Sequence, residues 1–436
     1  MEKKTGRVPR LRFPEFRHDR PWSDTVFTKL YSFKRTNSLS RDKLNYNAGE
    51  IKNIHYGDIH TKFKPLFRLV EEHVPYVNQD VPASEFDDNT FCQEGDIVLA
   101  DASENLDDVG KAIEVVSLDG ERVVAGTHTI LATRRGNLPI IGFGGQLFQS
   151  AAVRDGIKNE AQGSKIYGIS AKRVSALSIP VPPSENEQRK IASCFSSLDD
   201  LITAQEKKLA ALREYKKGLL QQLFPQPGET VPRLRFPEFR DAGEWVKLNI
   251  EKVAELKNGY AFKSDNYVEK GHYQIVTIGN VQQGQLNIDE IKSIITLPPD
   301  IQNHQILEID DILLSMTGNV GRVCMVPTTG LLLNQRVGKI IPHSIDHKFF
   351  YQLLNRNEFL ITMQQSAVGG AQGNINASTI KSFVFFCPGN LKEQQKIASC
   401  LSSLDALITA QEDKLASLRE HKKGLMQQLF PNLETL

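Results

Sequence analysis

The chain has 436 residues, 40% hydrophobic and 24% charged, with 53 Lys and Arg against 52 Asp and Glu. A formal net charge of +1 argues against a strongly basic nucleic-acid binder and against an acidic tail, and no apolar run reaches the ~20 residues of a membrane span. Five cysteines without a Cys-x-x-Cys pair exclude a disulfide framework and an obvious zinc site; with no apolar leader in residues 1–7, a reduced, cytoplasmic protein is expected.

In chain order, the first distinctive element is Val8-Pro9-Arg10-Leu11-Arg12-Phe13-Pro14-Glu15-Phe16-Arg17, which recurs letter for letter at 231–240. Trp22 and Trp245 keep the same offset. Residues 21–183 then mix short β-rich runs with turn signals. Strands are predicted at 96–99, 113–116 and 129–132, a helix at 146–160, and a polar loop at 161–165. Pro182-Pro183 close this body. Ser184 with Glu187 reads as a capping box for one helix over 187–224, stopped by Pro225.

Along that helix Ile191, Phe195, Leu198, Ile202, Gln205, Leu209, Leu212, Lys216, Leu219 and Leu223 alternate spacings of four and three, the seam of a coiled coil. Residues 187–225 recur at 393–431 with 32 of 39 positions identical. The second seam is Ile397, Leu401, Leu404, Ile408, Gln411, Leu415, Leu418, Lys422, Leu425 and Leu429, with Asn390 and Glu393 at the start and Pro431 at the end. Between the copies, residues 227–389 form a second divergent body, with strands predicted at 273–277, 311–314 and 339–341, a helix at 346–365 and a polar loop at 369–374. Each helix is long enough for a rod of about 57 Å. An amphipathic helix buried in an ordinary core is the simpler alternative; length, heptad and charged outer faces favour an antiparallel pair of the two helices within one chain. Gln205, Gln411, Lys216 and Lys422 at the seam would set its register. If the halves are equivalent, residues 8–17 pack near the end of the second helix and bring Met1 near Leu436.

The expected architecture is α+β: two tandem mixed bodies separated by two long helices pairing as an antiparallel intramolecular coiled coil, with pseudo-twofold symmetry. The divisions are 1–20, 21–183, 184–226, 227–389 and 390–436. Neither a phosphate loop, an amino-methyltransferase Asn/Asp-Pro-Pro-Tyr/Phe tetrad, nor a Pro-Asp…Glu-x-Lys nuclease pattern occurs. His55, His60 and His128 read as surface or hydrogen-bonding residues rather than metal ligands. No catalytic or metal residue is therefore assigned.

Several runs carry a family resemblance. They are Ile179-Pro180-Val181-Pro182-Pro183 leading into Glu187-Gln188-Arg189-Lys190-Ile191, and Pro388 before Glu393-Gln394-Gln395-Lys396-Ile397. Gly259-Tyr260-Ala261-Phe262-Lys263-Ser264, Asn53-Ile54-His55-Tyr56-Gly57-Asp58-Ile59 and Gly163-Ser164-Lys165-Ile166-Tyr167-Gly168-Ile169-Ser170 join them. The chain resembles the specificity (S) subunit of type I restriction–modification systems over nearly its whole length. Phe385-Phe386-Cys387-Pro388 departs from the usual Ile-Pro-x-Pro run.

The resemblance implies a non-catalytic subunit with two target-recognition domains, each reading half of a bipartite, asymmetric site in double-stranded DNA. The helix pair would set the spacing, on the order of one turn of the duplex, and dock two methyltransferase (M) subunits. S-adenosylmethionine would sit on those partners, and ATP and Mg on added restriction (R) subunits; this chain would bind no cofactor and no membrane. A two-domain coiled-coil adaptor without DNA readout is the alternative. Candidate DNA-contacting residues are Lys34, Arg35, Asn37, Gln162, Ser164 and Lys165 in the first body. In the second they are Lys257, Asn258, Tyr260, Lys263, Ser264, Asn334, Gln335, Arg336, Gln372 and Asn374. Lys and Arg suit phosphates, Asn and Gln adenine edges, and Arg guanine edges. Residues 71–110 hold twelve acidic side chains and no Lys or Arg, leaving the remainder at +13. That stretch is expected to face away from DNA.

Overall fold

A computed structural model describes residues 6–289, 291–367 and 373–432. It divides into two compact units, one built from 1–206 with 413–436 and the other from 207–412. Met1 and Leu436 lie outside the described residues. No described helix is long and apolar enough to cross a membrane.

The central sheet of unit 1 has five strands in the order Tyr31–Lys34, Thr129–Arg134, Ile97–Ala100, Ala112–Ser117 and Leu66–Arg68. All pairs are antiparallel except the last. Ile97–Ala100 is apolar along its whole length because both faces are covered. Ile97 and Leu99 join the core with Trp22, Phe143 and Phe195, whereas Val98 and Ala100 face a second core with Ile54, Phe67 and Val123. A four-stranded sheet, in which Arg122–Ala125 runs parallel to Ile51–Ile54, carries that second core. Unit 2 repeats the plan. Ala254–Asn258, Val337–Pro342, Ile312–Ser315 and Val323–Met325 form an antiparallel sheet, and Leu331–Leu333 runs parallel to Tyr273–Val276 in a second one.

Two expected helices each prove to be two. Phe143–Gln149 and Ala151–Glu160 are separated by Ser150, which is extended (φ −66°, ψ 148°). His347–Leu354 and Asn357–Gln365 are separated at Asn355 and Arg356, the latter equally extended. A single extended residue re-aims the second helix, and apolar periodicity carries no signal for it.

The long helices span Glu185–Leu223 and Leu391–Leu429. None of the predicted seam side chains is exposed; Ile191, Leu209, Leu223, Ile397, Leu401, Leu404, Leu415 and Leu429 are buried. The pairing is antiparallel. In unit 2 Lys216 reaches Asp405 (2.5 Å) and Arg213 reaches Glu412 (2.6 Å). In unit 1 the equivalent bridges are Lys422–Asp199 and Arg419–Glu206, both 2.6 Å. The seam lysines thus fix register by taking an aspartate of the facing helix.

The capping boxes form only in part. Ser184 Oγ accepts from the Glu187 N–H at 3.4 Å, and Asn390 Oδ1 from the Lys392 N–H at 2.9 Å. The glutamates do not fold back. Instead Arg12 donates to both carboxylate oxygens of Glu187 at 2.7 Å, and Trp22 Nε1 donates to the same group at 3.2 Å. Arg235, Glu393 and Trp245 repeat this at 2.7, 2.8 and 3.3 Å. The two invariant blocks therefore meet as a clasp in each unit. Leu11 N–H donates to Gln428 O in unit 1 and Leu234 N–H to Gln222 O in unit 2, both at 2.9 Å. Gln188 Oε1 accepts from the Ile140 N–H, and Gln394 Oε1 from the Asp346 N–H, tying each helix start to its body.

Beyond each helix end a phenylalanine completes the clasp. Phe430 lies against Trp22, Phe143 and Phe195, as Phe224 lies against Trp245 and Phe349. Truncating Phe430 to alanine should lower the stability of unit 1 by about 3–5 kcal/mol, read as a lower urea midpoint. A loss below ~1 kcal/mol would show that this ring is not part of a close-packed core.

Candidate nucleic-acid interface

The parallel strand pair of each unit ends in loops that are knitted together by backbone hydrogen bonds. In unit 1 Gly126 N–H donates to Ile54 O (2.9 Å), Asn37 N–H to Ala125 O (3.0 Å), Asp101 N–H to His128 O (2.9 Å) and Ile169 N–H to Asp101 O (2.8 Å). Ala102–Ser103 pairs with Tyr167–Gly168, and Gln162 bridges Gly168. Unit 2 makes the same set: Asn334 N–H to Val276 O (3.2 Å), Tyr260 N–H to Leu333 O (2.8 Å), Met316 N–H to Arg336 O (3.1 Å) and Ile375 N–H to Met316 O (3.0 Å). Thr317 bridges Asn374. The approach is close: a Cβ on Gly126 would lie 2.7 Å from Asn53 Oδ1, and one on Gly259 2.2 Å from Asn334 O. One scaffold thus presents two loop layers whose side chains differ.

Within these layers the candidate residues separate into free and committed groups. Gln162, Ser164 and Lys165 are exposed in unit 1, as are Lys263, Ser264, Gln335, Arg336 and Asn374 in unit 2. Tyr260 OH donates to Asp300 Oδ1 (2.7 Å), which raises the phenol pKa, and Asn334 Oδ1 accepts from the Arg336 N–H (3.3 Å). Others are spent on the fold. Lys34 Nζ donates to Phe91 O (3.1 Å), and the Asn37 amide donates to Ala125 O (2.9 Å) and Asn53 Oδ1 (3.4 Å). At the surface Lys257 pairs with Glu255 (2.7 Å), and exposed Asn258 takes His304 Nε2 (3.1 Å) on its backbone O alone. Arg35 is exposed, 4.0 Å from Asp87. Gln372 lies outside the described residues.

The acidic stretch is not one surface. Glu71, Asp80, Asp107 and Asp108 each take a lysine: Lys64 (3.0 Å), Lys43 (2.6 Å), Lys158 (2.5 Å) and Lys111 (3.8 Å). Asp96 is buried beneath the sheet. Asp101 alone among the group stands in the loop layer, with Oδ1 3.3 Å from His128 Nδ1. Four of the twelve acidic side chains thus neutralise lysines of their own body.

Beside that pair the three histidines read from the sequence as surface or hydrogen-bonding residues come together. Tyr56 packs on His55, His60 and His128 (ring centroids 4.7, 6.0 and 5.2 Å). His55 Nδ1 accepts from the Gly57 N–H (3.1 Å), and burial, with Arg41 nearby, lowers the pKa of its ring. Asp58 is buried; burial alone would push its pKa up, but hydrogen bonds from Arg41 (2.7 Å) and Lys62 (2.9 Å) outweigh this and hold it below the usual range. The 53–59 motif and the three histidines were its signals in the sequence. Among the described residues no group of His, Cys, Asp and Glu is placed to hold a metal ion.

A family model described as type I restriction modification DNA specificity domain matches residues 74–214 and 242–420, more than half of the chain. The MjaVIII type I restriction enzyme specificity subunit of Methanocaldococcus jannaschii is 27% identical over 297 residues, 65% of this chain and 68% of that protein. A second protein of that organism, described as the putative MjaX specificity subunit, is 26% identical over 267 residues, 60% of each chain. The crystal structure of an S subunit from M. genitalium superposes with a TM-score of 0.62 at 14% identity, covering 98% of this chain and all of that one. A structure from work on complex assembly and conformational transition of the type I system gives 0.54 at 15% identity, covering 94% and 97%.

Proposed function

Starting from a chain that belongs to the type I restriction–modification DNA specificity family, we propose that unit 1 and unit 2 each read one half of a bipartite, asymmetric DNA target. The chain is the DNA specificity subunit of such a system. Members of this family are non-catalytic and bind no cofactor; S-adenosylmethionine, ATP and Mg are used by partner subunits. The observation that carries the half-site reading is the repeated loop layer, closed by the same backbone bonds in both units but bearing different side chains. Lys165 and Lys263 supply phosphate-directed cations there, and Gln162, Gln335, Arg336 and Asn374 supply groups suited to base edges. An adaptor without DNA readout has no use for two such layers.

Two methyltransferase subunits would dock on the invariant clasps and helices, in equivalent ways. Leu201 and Leu407, 41% and 55% exposed, occupy matching positions on the two helices and keep their apolar side chains in water. The continuous helices would set the distance between half-sites, and restriction subunits would add ATP-driven cleavage. Working on cellular DNA places the complex in the cytoplasm.

Co-expression with the cognate methyltransferase gene, followed by methylome sequencing, tests this. A split, non-palindromic methylated motif should appear only when both proteins are present. The double variant Leu201→Asp/Leu407→Asp should remain folded yet lose co-purification with the methyltransferase. A continuous or absent motif in the wild type would refute the half-site reading.

A further inference from the structure

We infer that His128, oriented by Asp101, determines base specificity in unit 1 and stands where unit 2 carries Arg336. The inference rests on the half-site reading and assigns residues within it. The correspondence is topological. Asp101 N–H donates to His128 O, and Met316 N–H donates to Arg336 O, at the same step of the loop layer in each unit. Both side chains are exposed there.

The backbone marks His128 as unusual. Its φ is +54°, in the left-handed region that glycine fills easily and other residues enter at a cost. Gly126, two residues earlier, shows that this turn uses glycine where only backbone is required. A histidine retained in the strained position has a side chain to present. Its ring stands against Tyr56 at 5.2 Å and 72°, which restricts its rotation.

Asp101 defines what the ring offers. Oδ1 lies 3.3 Å from Nδ1, so in the neutral imidazole the proton belongs on Nδ1 and Nε2 is left as an acceptor. An acceptor held outward from a rigid loop suits the exocyclic amino group of adenine or cytosine in the major groove. Arg336 at the matching place is a donor-only group and suits guanine O6 and N7. Asp101 is then a positioning residue, which accounts for this carboxylate facing His128 while Asp107 and Asp108 are turned to Lys158 and Lys111.

The test uses the full chain with its methyltransferase subunits and reads base discrimination within each half of the methylated motif. His128→Gly removes the ring and relieves the left-handed backbone, so thermal stability should hold or rise. It should nevertheless relax discrimination about ten-fold at one or two positions of one half-site and leave the other half unchanged. Asp101→Asn should relax the same positions, and Arg336→Ala should relax positions in the opposite half only. If His128→Gly keeps wild-type discrimination at every position, or lowers methylation evenly across all sites, the assignment of His128 is overturned while the half-site reading stands. A wild type that yields no split motif overturns both.

Discussion

Replacing Arg12 with alanine should cost unit 1 about 3–5 kcal/mol, the effect of leaving a buried carboxylate without its counter-charge. Glu187 is 1% exposed and takes two hydrogen bonds from the Arg12 guanidinium, whose own side chain is 5% exposed. Those bonds raise the pKa of Arg12 further, so the guanidinium keeps its charge. The remaining guanidinium donors serve Asp19 O and Arg20 O, so the substitution also strips two carbonyls of a partner. Arg235→Ala should do the same to unit 2, where Glu393 is equally buried. Urea unfolding of both variants checks this, and the double variant Arg12→Met/Glu187→Met supplies the control. Removing both charges should recover part of the loss, because no buried charge is left unpaired, while Asp19 O, Arg20 O and Trp22 Nε1 still lose their partners. Should Arg12→Ala unfold at the wild-type midpoint, the clasp contributes nothing and the invariance of the two blocks needs another cause.

Unit 1 should also lose stability as pH rises from about 4 to about 7. Burial pushes the Glu114 carboxyl up to about 7, although Gly142 and Gly145 N–H groups donate to it at 3.0 and 2.7 Å. Burial likewise raises Asp96 to about 6, against the N–H of Gln93 and the charge of Lys34. Both folded values lie above the usual carboxylate range, so the folded state binds protons that the unfolded chain releases. Their contribution is complete below the unfolded pKa and falls away as pH climbs through the folded one. For Glu114 the change is on the order of 3 kcal/mol. Unit 2 carries other groups at these places: Asp311, at the place of Asp96, pairs with Lys339 at 2.6 Å, and Met325 stands at the place of Glu114. Melting temperatures at pH 5, 6, 7 and 8 should therefore fall for unit 1, and Glu114→Gln should flatten the slope. An unchanged slope in that variant would remove Glu114 as its source.

What could be read from the sequence was whatever repetition or periodicity encodes. The seam from Ile191 to Leu223 is a local rhythm, and near-identity at 393–431 ties the second helix to the first. The runs at 96–99 and 311–314 are apolar without alternation because two cores cover them, and such runs read as strands. What failed depended on distant partners. Glu187 resembles a capping residue until Arg12, far away in sequence, offers a stronger pair. Lys34 Nζ turns to Phe91 O, 57 residues away, which no local pattern announces. Ser150 divides a helix that periodicity would continue. His128 was set aside because nothing local shows that its backbone turns left-handed or that Asp101 faces it.

Unit 1 is assembled from both ends of the chain, and this dictates an order of synthesis. Leu429 and Phe430, which fill its core, leave the ribosome only after all of 207–412. Unit 2 has every one of its residues available earlier, so the unit encoded second can be the first to finish folding. Until the final turn of the second helix emerges, the Trp22 pocket waits open. A stop codon just before Leu429 would thus cripple the half made first and leave the half made last intact.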